Sequence, residues 1–302
     1  MSVDLQPASP MRVGSTGSTP LRVGVMGWPV AHSRSPLIHN HWIAAHGLNA
    51  HYELLPTPLD ALAGAVHALP TQGFLGVNLT IPHKVRVLEF LDEIDDTAQA
   101  MGAANVVQVL PNGRLRGRNT DAFGYITNLT QTAPNWQAST GPAVVLGAGG
   151  AARAVAYALA QAGVPGLRIV NRSLANAQEL AGMIAQRFAN THCTAHAWEE
   201  RNAPALLGNC ALLVNTTELG MQGKAGLGFD VNALPAACTV SDIVYAPLVT
   251  PLLHAAAARG LATSDGLGML LYQAQAAFKG WFGVEPTVSA ALRQAVERDL
   301  AF

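Results

Sequence analysis

The stretch Val144-Val145-Leu146-Gly147-Ala148-Gly149-Gly150-Ala151-Ala152-Arg153 decides the fold. An apolar run ends in a glycine cluster, and an alanine-rich helical pattern then continues from Ala151 to about Ala162. This order predicts a strand, a tight turn and a helix whose N-terminus points at an anion. In the pattern G-x-G-x-x-A, Gly147 permits the turn, Gly149 lets the backbone approach a pyrophosphate, and Ala152 keeps the helix close to the sheet. Free N–H groups and the positive dipole end at the helix start favour phosphate, so Gly147, Ala148, Gly149, Gly150 and Ala151 form the candidate cradle.

A glycine fingerprint alone also fits a plain turn in any α/β domain, so the next strand matters. Leu167-Arg168-Ile169-Val170 is apolar enough to be the second parallel strand, and it ends in Asn171-Arg172-Ser173. Where a dinucleotide site usually carries a carboxylate for the ribose 2′-hydroxyl, this chain has an arginine. A guanidinium suits a 2′-phosphate. Asn171, Arg172 and Ser173 are therefore candidate cofactor residues, and the cofactor is read as NADP(H) rather than NAD.

Composition narrows the class. A chain of 302 residues is long enough for two domains. Half the residues are hydrophobic, 12% are charged and the formal net charge is -1. That balance argues against an electrostatic nucleic-acid binder or a polybasic membrane-surface protein. No apolar run reaches the roughly 18 to 20 residues that span a bilayer. Residues 1–20 are rich in Ser, Gly, Thr and Pro without an apolar core, which reads as a disordered tail and not a signal peptide. Cys193, Cys210 and Cys238 lack a C-x-x-C spacing, as expected of reduced thiols in a cytoplasmic protein.

Ahead of the glycine motif, Leu21 to Met26 reads as a strand. It runs into Ser33-Arg34-Ser35-Pro36 and a helix to about His46. Ser35 before Pro36 has the look of an N-cap, and Ser33 with Ser35 could present two hydroxyls to one ligand. His32, His39, His41, His46 and His51 lie close in sequence, but none makes an H-x-x-x-H pair with a carboxylate, and no metal site is read there.

Further strands are expected at His51 to Leu55 and Phe74 to Leu79, with a helix from Leu59 to Leu69 between them, giving parallel pairing. The third strand ends in Asn78-Leu79-Thr80-Ile81-Pro82-His83-Lys84. Ligands in open α/β sheets bind beyond the carboxyl ends of strands, so Asn78, Thr80 and Lys84 are candidates for chemistry. A lysine at a helix start opposes the helix dipole, so stability alone would not choose it.

Leu88 to Ala100 reads as a helix, and Asn105 to Leu110 with Arg114 to Asn119 as a hairpin. Asp121 then either caps the helix that follows or takes part in chemistry. Later strands are Ala211 to Asn215 and Thr239 to Val244, and helices Met269 to Trp281 and Val288 to Leu300 close the chain.

These motifs, in this order, resemble the shikimate dehydrogenase family from about Leu21 onward. Ser33-Arg34-Ser35-Pro36 is similar to its substrate loop, and Asn78 to Lys84 to its N-x-T-x-P-x-K, in which the lysine is catalytic. Gly102-Ala103-Ala104-Asn105 and Asn119-Thr120-Asp121 are similar to segments giving a substrate asparagine and the lysine's aspartate. Tyr245 with Pro247, Thr250-Pro251-Leu252-Leu253 and Gly266-Leu267-Gly268-Met269 with Gln273 match its C-terminal signatures.

The resemblance implies catalytic residues Lys84 and Asp121, with Ser33, Ser35, Thr80, Asn105, Asp121, Tyr245 and Gln273 at the substrate. It also implies Asp96, Ile243 and Gly266 at the cofactor, and no metal. The fold implied is two-domain α/β: an N-terminal substrate domain (21–121) completed by C-terminal helices (268–302), with an inserted Rossmann-type NADP-binding domain (122–267). The activity implied is reversible NADPH-linked reduction of 3-dehydroshikimate to shikimate by a monomer or homodimer.

Two positions depart from the family pattern: Val106 stands where a threonine is common, and Asn176 where a second arginine would clamp the 2′-phosphate. Rival expectations are use of quinate, reduction of another cyclic carbonyl, and a non-catalytic NADP sensor of the same fold.

Overall fold

A computed structural model describes residues 19–300. All but the last two residues of the expected tail lie outside that range. The chain divides into two compact units, with crossings between Thr120 and Asp121 and between Tyr272 and Gln273, and residues 297–300 group with the second unit.

The first unit contains, in order, β1 (Leu21–Gly27), α1 (Ser35–Ala45), β2 (Ala50–Pro56), α2 (Leu62–His67), β3 (Phe74–Leu79), α3 (His83–Arg86), β4 (Glu93–Ile94), α4 (Asp96–Met101), β5 (Val106–Val109) and β6 (Leu115–Arg118). Its sheet has the order β2-β1-β3-β5-β6-β4. β1 pairs parallel with β2 and β3, while the β5–β6 hairpin joins antiparallel to β3. One face buries Leu62, Val66, Leu69, Phe74, Val77 and Val87. Elsewhere in this unit His39, Trp42, Tyr52, Phe278 and Trp281 form an aromatic cluster.

Two expectations fail here. The helix foreseen over Leu88 to Ala100 is instead a 3-10 turn at Val87–Phe90, the short strand β4 and then α4. The acidic run is drawn out against β6: Glu93 pairs with Arg116 at 2.6 Å and Asp95 with Arg118 at 3.5 Å. Asp95, in extended conformation, then caps α4 by accepting from the Ala98 N–H at 2.7 Å. Ser35 is likewise not the cap of α1. Arg34 holds that position, Ser35 is a buried first-turn residue, and the Ser33 hydroxyl accepts from the Ser35 N–H at 3.3 Å.

The second unit contains α5 (Asp121–Thr132), β7 (Ala143–Leu146), α6 (Gly150–Gln161), β8 (Gly166–Asn171), α7 (Leu174–Arg187), β9 (His192–Ala197), α8 (Pro204–Leu207), β10 (Leu212–Asn215), β11 (Thr239–Asp242), α9 (Pro251–Ala258) and β12 (Thr263–Ser264). All pairs in its sheet are parallel, in the order β12-β11-β10-β7-β8-β9. β7, β10 and β11 are buried throughout, as a parallel sheet covered on both faces requires. The chain closes with α10 (Leu267–Phe282), which contains the second crossing, and α11 (Ala290–Leu300).

Two strands were not foreseen. β9 reads His-Cys-Thr-Ala-His-Ala, has no buried residue and sits at the sheet edge. β12 has two residues at the opposite edge. Among the described residues no helix is long and apolar enough to cross a membrane.

Candidate active site

In the second unit the glycine stretch forms the strand, tight turn and helix start that its spacing predicts. Gly147 has φ 116, a left-handed value that favours glycine, and a Cβ there would lie 2.4 Å from Thr216 Oγ1. Thr216 is itself fixed, its hydroxyl donating to the Leu146 carbonyl at 2.7 Å. Ala152, in the first turn of α6, is fully buried. Gly149 is the N-cap of α6 and has no side chain to offer the free N–H groups.

A Cβ built on Gly149 or Gly150 meets no atom within 4 Å, so the space at the helix start is open. A dinucleotide's phosphates fit a helix N-terminus of this kind. Beyond β8, Asn171 Nδ2 donates to the Ser173 carbonyl at 3.0 Å, and Ser173 caps α7 by accepting from the Asn176 N–H. Arg172 is exposed between them. The donor set therefore fits a phosphorylated ribose: backbone amides, then a guanidinium held on a capped turn.

Ile243 and Gly266 stand at the carboxyl ends of neighbouring strands β11 and β12. A Cβ on Gly266 would lie 2.1 Å from the Ile243 carbonyl, so the two backbones are in direct apposition. Tyr245 is half-buried two residues beyond Ile243. Asp121, the first residue of α5, is buried. Ala148 and Ala151 flank the open glycines and are partly exposed.

The first unit gathers the remaining candidates, except Asp96, around the ends of β1 and β3. Thr80 follows β3 and its N–H donates to the Met26 carbonyl at 3.0 Å. Lys84 is half-buried in α3, and its carbonyl accepts from the Ala104 N–H at 2.8 Å, which ties the lysine's backbone to the residue before Asn105. Asn105 is buried. It donates through Nδ2 to Thr120 Oγ1 at 3.0 Å and Gln273 Oε1 at 3.2 Å, and accepts through Oδ1 from the Thr120 N–H at 2.8 Å. The Thr120 hydroxyl is also 3.0 Å from the Gln273 carbonyl. Two side chains separated by 168 positions are thus brought into one amide cluster.

Sequence reasoning missed what supports this cluster. Tyr52 donates to Asn78 Oδ1 at 2.7 Å, and Asn78 Nδ2 donates to the Asn105 carbonyl at 3.2 Å. Tyr52 was hidden in a strand pattern, and nothing in its spacing marked the hydroxyl. Thr120 stood out only as part of a motif, yet it makes four of the cluster's contacts. His83, also buried, is 2.7 Å from the Thr57 carbonyl through Nε2, and burial pushes its imidazole below the usual range.

The other candidates take plainer positions. Asp96 is exposed on α4 in the first unit, next to the capping Asp95. Among the described residues no group of three or more His, Cys, Asp or Glu is arranged to hold a metal ion. His39, one of the five clustered histidines, is buried and stacked on Tyr52 at 4.3 Å.

Comparison with known proteins agrees with this geometry. Residues 25–107 match the family described as the shikimate dehydrogenase substrate binding domain. Residues 129–200 match shikimate / quinate 5-dehydrogenase, and 266–296 the shikimate 5'-dehydrogenase C-terminal domain. A shikimate dehydrogenase (NADP(+)) of Rhodospirillum rubrum is 51% identical over 273 residues, 90% of this chain and 95% of that protein.

Among solved structures, shikimate 5-dehydrogenase from Thermus thermophilus, in complex with NADP(H) and shikimate, is 37% identical with a TM-score of 0.80, covering 93% of this chain and 99% of that one. Quinate dehydrogenase from Corynebacterium glutamicum in complex with NAD is 33% identical with a TM-score of 0.84, covering 92% and 98%. With identity at this level over nearly the whole length of its relatives, and the glycine cradle and amide cluster both in place, the chain belongs to the shikimate dehydrogenase family.

Proposed function

We propose that this chain is an NADP-dependent shikimate dehydrogenase, reducing 3-dehydroshikimate reversibly to shikimate. The observation that carries the reading is the position of Lys84: a half-buried lysine just past a parallel strand's carboxyl end, with its backbone bound to the residue beside the amide cluster. NADPH, when bound, supplies the hydride. The chain's own residues do the rest.

Charge grows on the ketone oxygen as its carbon is reduced, and a lysine ammonium there stabilises that charge and can hold the proton the oxygen takes. Asp121 is the carboxylate assigned to keep the lysine charged. Ser33, Ser35, Thr80, Asn105, Tyr245 and Gln273 bind the hydroxyls and carboxylate of a small cyclic acid. The glycine cradle of residues 147–151, Asn171, Arg172, Ser173, Ile243, Gly266 and Asp96 are the residues assigned to the cofactor. A substrate domain of residues 21–121 and 268–302, an NADP domain of 122–267, a cytoplasmic location and a monomeric or homodimeric state go with this reading.

Quinate is the second reading, supported by the match of residues 129–200 to shikimate / quinate 5-dehydrogenase. Paired serines at 33 and 35 weigh towards shikimate. The test is a panel of shikimate and quinate, each with NADP+ and NAD+, followed by nicotinamide absorbance. Turnover of shikimate with NADP+ above the other three combinations is expected. Faster turnover of quinate would replace the substrate, and cofactor binding without turnover of either acid would leave a sensor or a reductase of another cyclic carbonyl.

A further inference from the structure

Asp242 lies fully buried at the carboxyl end of β11, and the reaction as derived does not use it. Its Oδ1 accepts from Asn215 Nδ2 at 2.9 Å and from the Val244 N–H at 3.0 Å. Its Oδ2 accepts from the Thr250 hydroxyl at 2.7 Å. These three donors are neutral. Burying a carboxylate against neutral donors is costly, and apolar packing would serve core stability better.

What the carboxylate joins explains its presence. Asn215 carries the hold into the turn after β10: its Oδ1 accepts from the Thr217 N–H at 3.0 Å and the Thr217 hydroxyl at 2.8 Å, and its Nδ2 donates to the Leu219 carbonyl at 3.1 Å. Thr216, inside that turn, is the residue against which Gly147 is shaped. Val244 sits between Ile243 and Tyr245, and the Ile243 N–H donates to the Asn215 carbonyl at 3.1 Å. Thr250 caps α9 by accepting from the Leu253 N–H. One acceptor-only group therefore ties together the 215–219 turn, the 243–245 segment and the start of a helix, all at strand ends where α/β sheets bind ligands.

We propose that Asp242 is a positioning residue for the cofactor site, fixing Ile243 and Tyr245 and the Thr216 turn beneath Gly147 in one register. The proposal rests on the cofactor and substrate roles given above to Ile243, Tyr245 and the glycine cradle.

The test compares Asp242→Ala and Asp242→Asn in the full-length protein. Asparagine keeps the shape and one acceptor oxygen. NADPH binding is measured by fluorescence, steady-state constants with shikimate and NADP+, and amide hydrogen exchange without ligand. Loss of two or more hydrogen bonds should weaken NADPH binding and raise KM for NADP+ about tenfold in the alanine variant, with kcat changed far less. The asparagine variant should recover most of that loss. Amides of 215–219 and 243–247 should exchange faster in the alanine variant, while β7 and β8 stay protected as in wild type.

Wild-type affinity and wild-type exchange in Asp242→Ala would overturn the proposal. So would a uniform rise in exchange across the whole sheet with KM unchanged, which is the mark of a core-stability residue. Should the alanine variant not fold, Thr250→Val removes one donor and should move KM and exchange the same way to a smaller extent; no movement there overturns the proposal. Wild-type protein that binds NADPH but leaves shikimate unchanged breaks the proposed reaction and leaves the Asp242 comparison standing. Wild-type protein that does not bind NADPH breaks both.

Discussion

The two units offer the proposed reaction different materials. The first offers side chains: Asn105, Thr120, Gln273, Asn78 and Tyr52 are buried polar groups wired to one another beside a mixed sheet. The second offers the backbone of a glycine turn and one exposed arginine, on an all-parallel sheet whose strands β7 and β10 are buried throughout. The difference teaches where each half is vulnerable. A site of side chains fails when one of them is removed, whereas a site of backbone amides fails only when the turn is distorted and is tuned by its single charge.

The largest effect should come from the side-chain half. Lys84→Ala is expected to lower kcat by about 10² to 10⁴-fold, the usual scale for a group that handles a proton. NADPH affinity, measured by fluorescence, should hardly move, since the lysine belongs to the other half's ligand. Unchanged turnover would remove Lys84 from the reaction. Weakened cofactor binding of similar size would erase the division of labour.

The backbone half should be reshaped, not abolished, by its one charge. Arg172→Asp removes a guanidinium suited to a 2′-phosphate and supplies a carboxylate suited to a ribose hydroxyl. The ratio of kcat/KM for NADP+ over NAD+ should fall about tenfold to a hundredfold, as a charge-assisted hydrogen bond would predict. With Asn176 where relatives commonly place a second arginine, the starting preference rests on fewer charges. A ratio that stays put would show that Arg172 does not read the phosphate.

Legibility in the sequence followed the same division. The glycine turn could be read because its physics is local: strand, φ above zero, open space and helix lie close together along the chain. β7, β8 and β10 could be read as apolar runs, because a parallel sheet buried on both faces favours them, whereas β11, Thr-Val-Ser-Asp, could be read only together with the apolar Ile243 and Val244 that follow it. β9 could not, since an edge strand with polar residues carries no such run. The acidic segment 92–95 read as helix because its partners, the arginines of β6, are far away along the chain. Ser35 read as a cap from Pro36 alone, whereas the hydroxyl that meets the helix start belongs to Ser33. The amide cluster itself was visible only as separate motifs, because no spacing rule joins Asn105 to Gln273.

The smallest effect, and the one that sets the two interiors directly against each other, is on stability against pH. Burial lowers the His39 imidazole from 6.5 to about 3, and raises the Asp242 carboxyl from 3.8 to about 6. The signs are opposite. For His39 the unfolded chain takes up a proton below 6.5 while the folded one does not, so its contribution is whole above 6.5 and is lost as pH falls towards 3. By pH 5 that loss amounts to about 2 kcal/mol. For Asp242 the unfolded chain ionises from 3.8 upward while the folded one resists until about 6. Its contribution is whole below 3.8 and is lost as pH rises through 6, so acidification from 7 to 5 restores about 1 kcal/mol. Denaturant unfolding at pH 7 and pH 5 separates the two. His39→Phe should lose less stability on acidification than wild type, and Asp242→Asn should lose more. If both variants track the wild-type slope, neither interior holds its titratable group as its burial requires, and the contrast between them does not extend to their energetics.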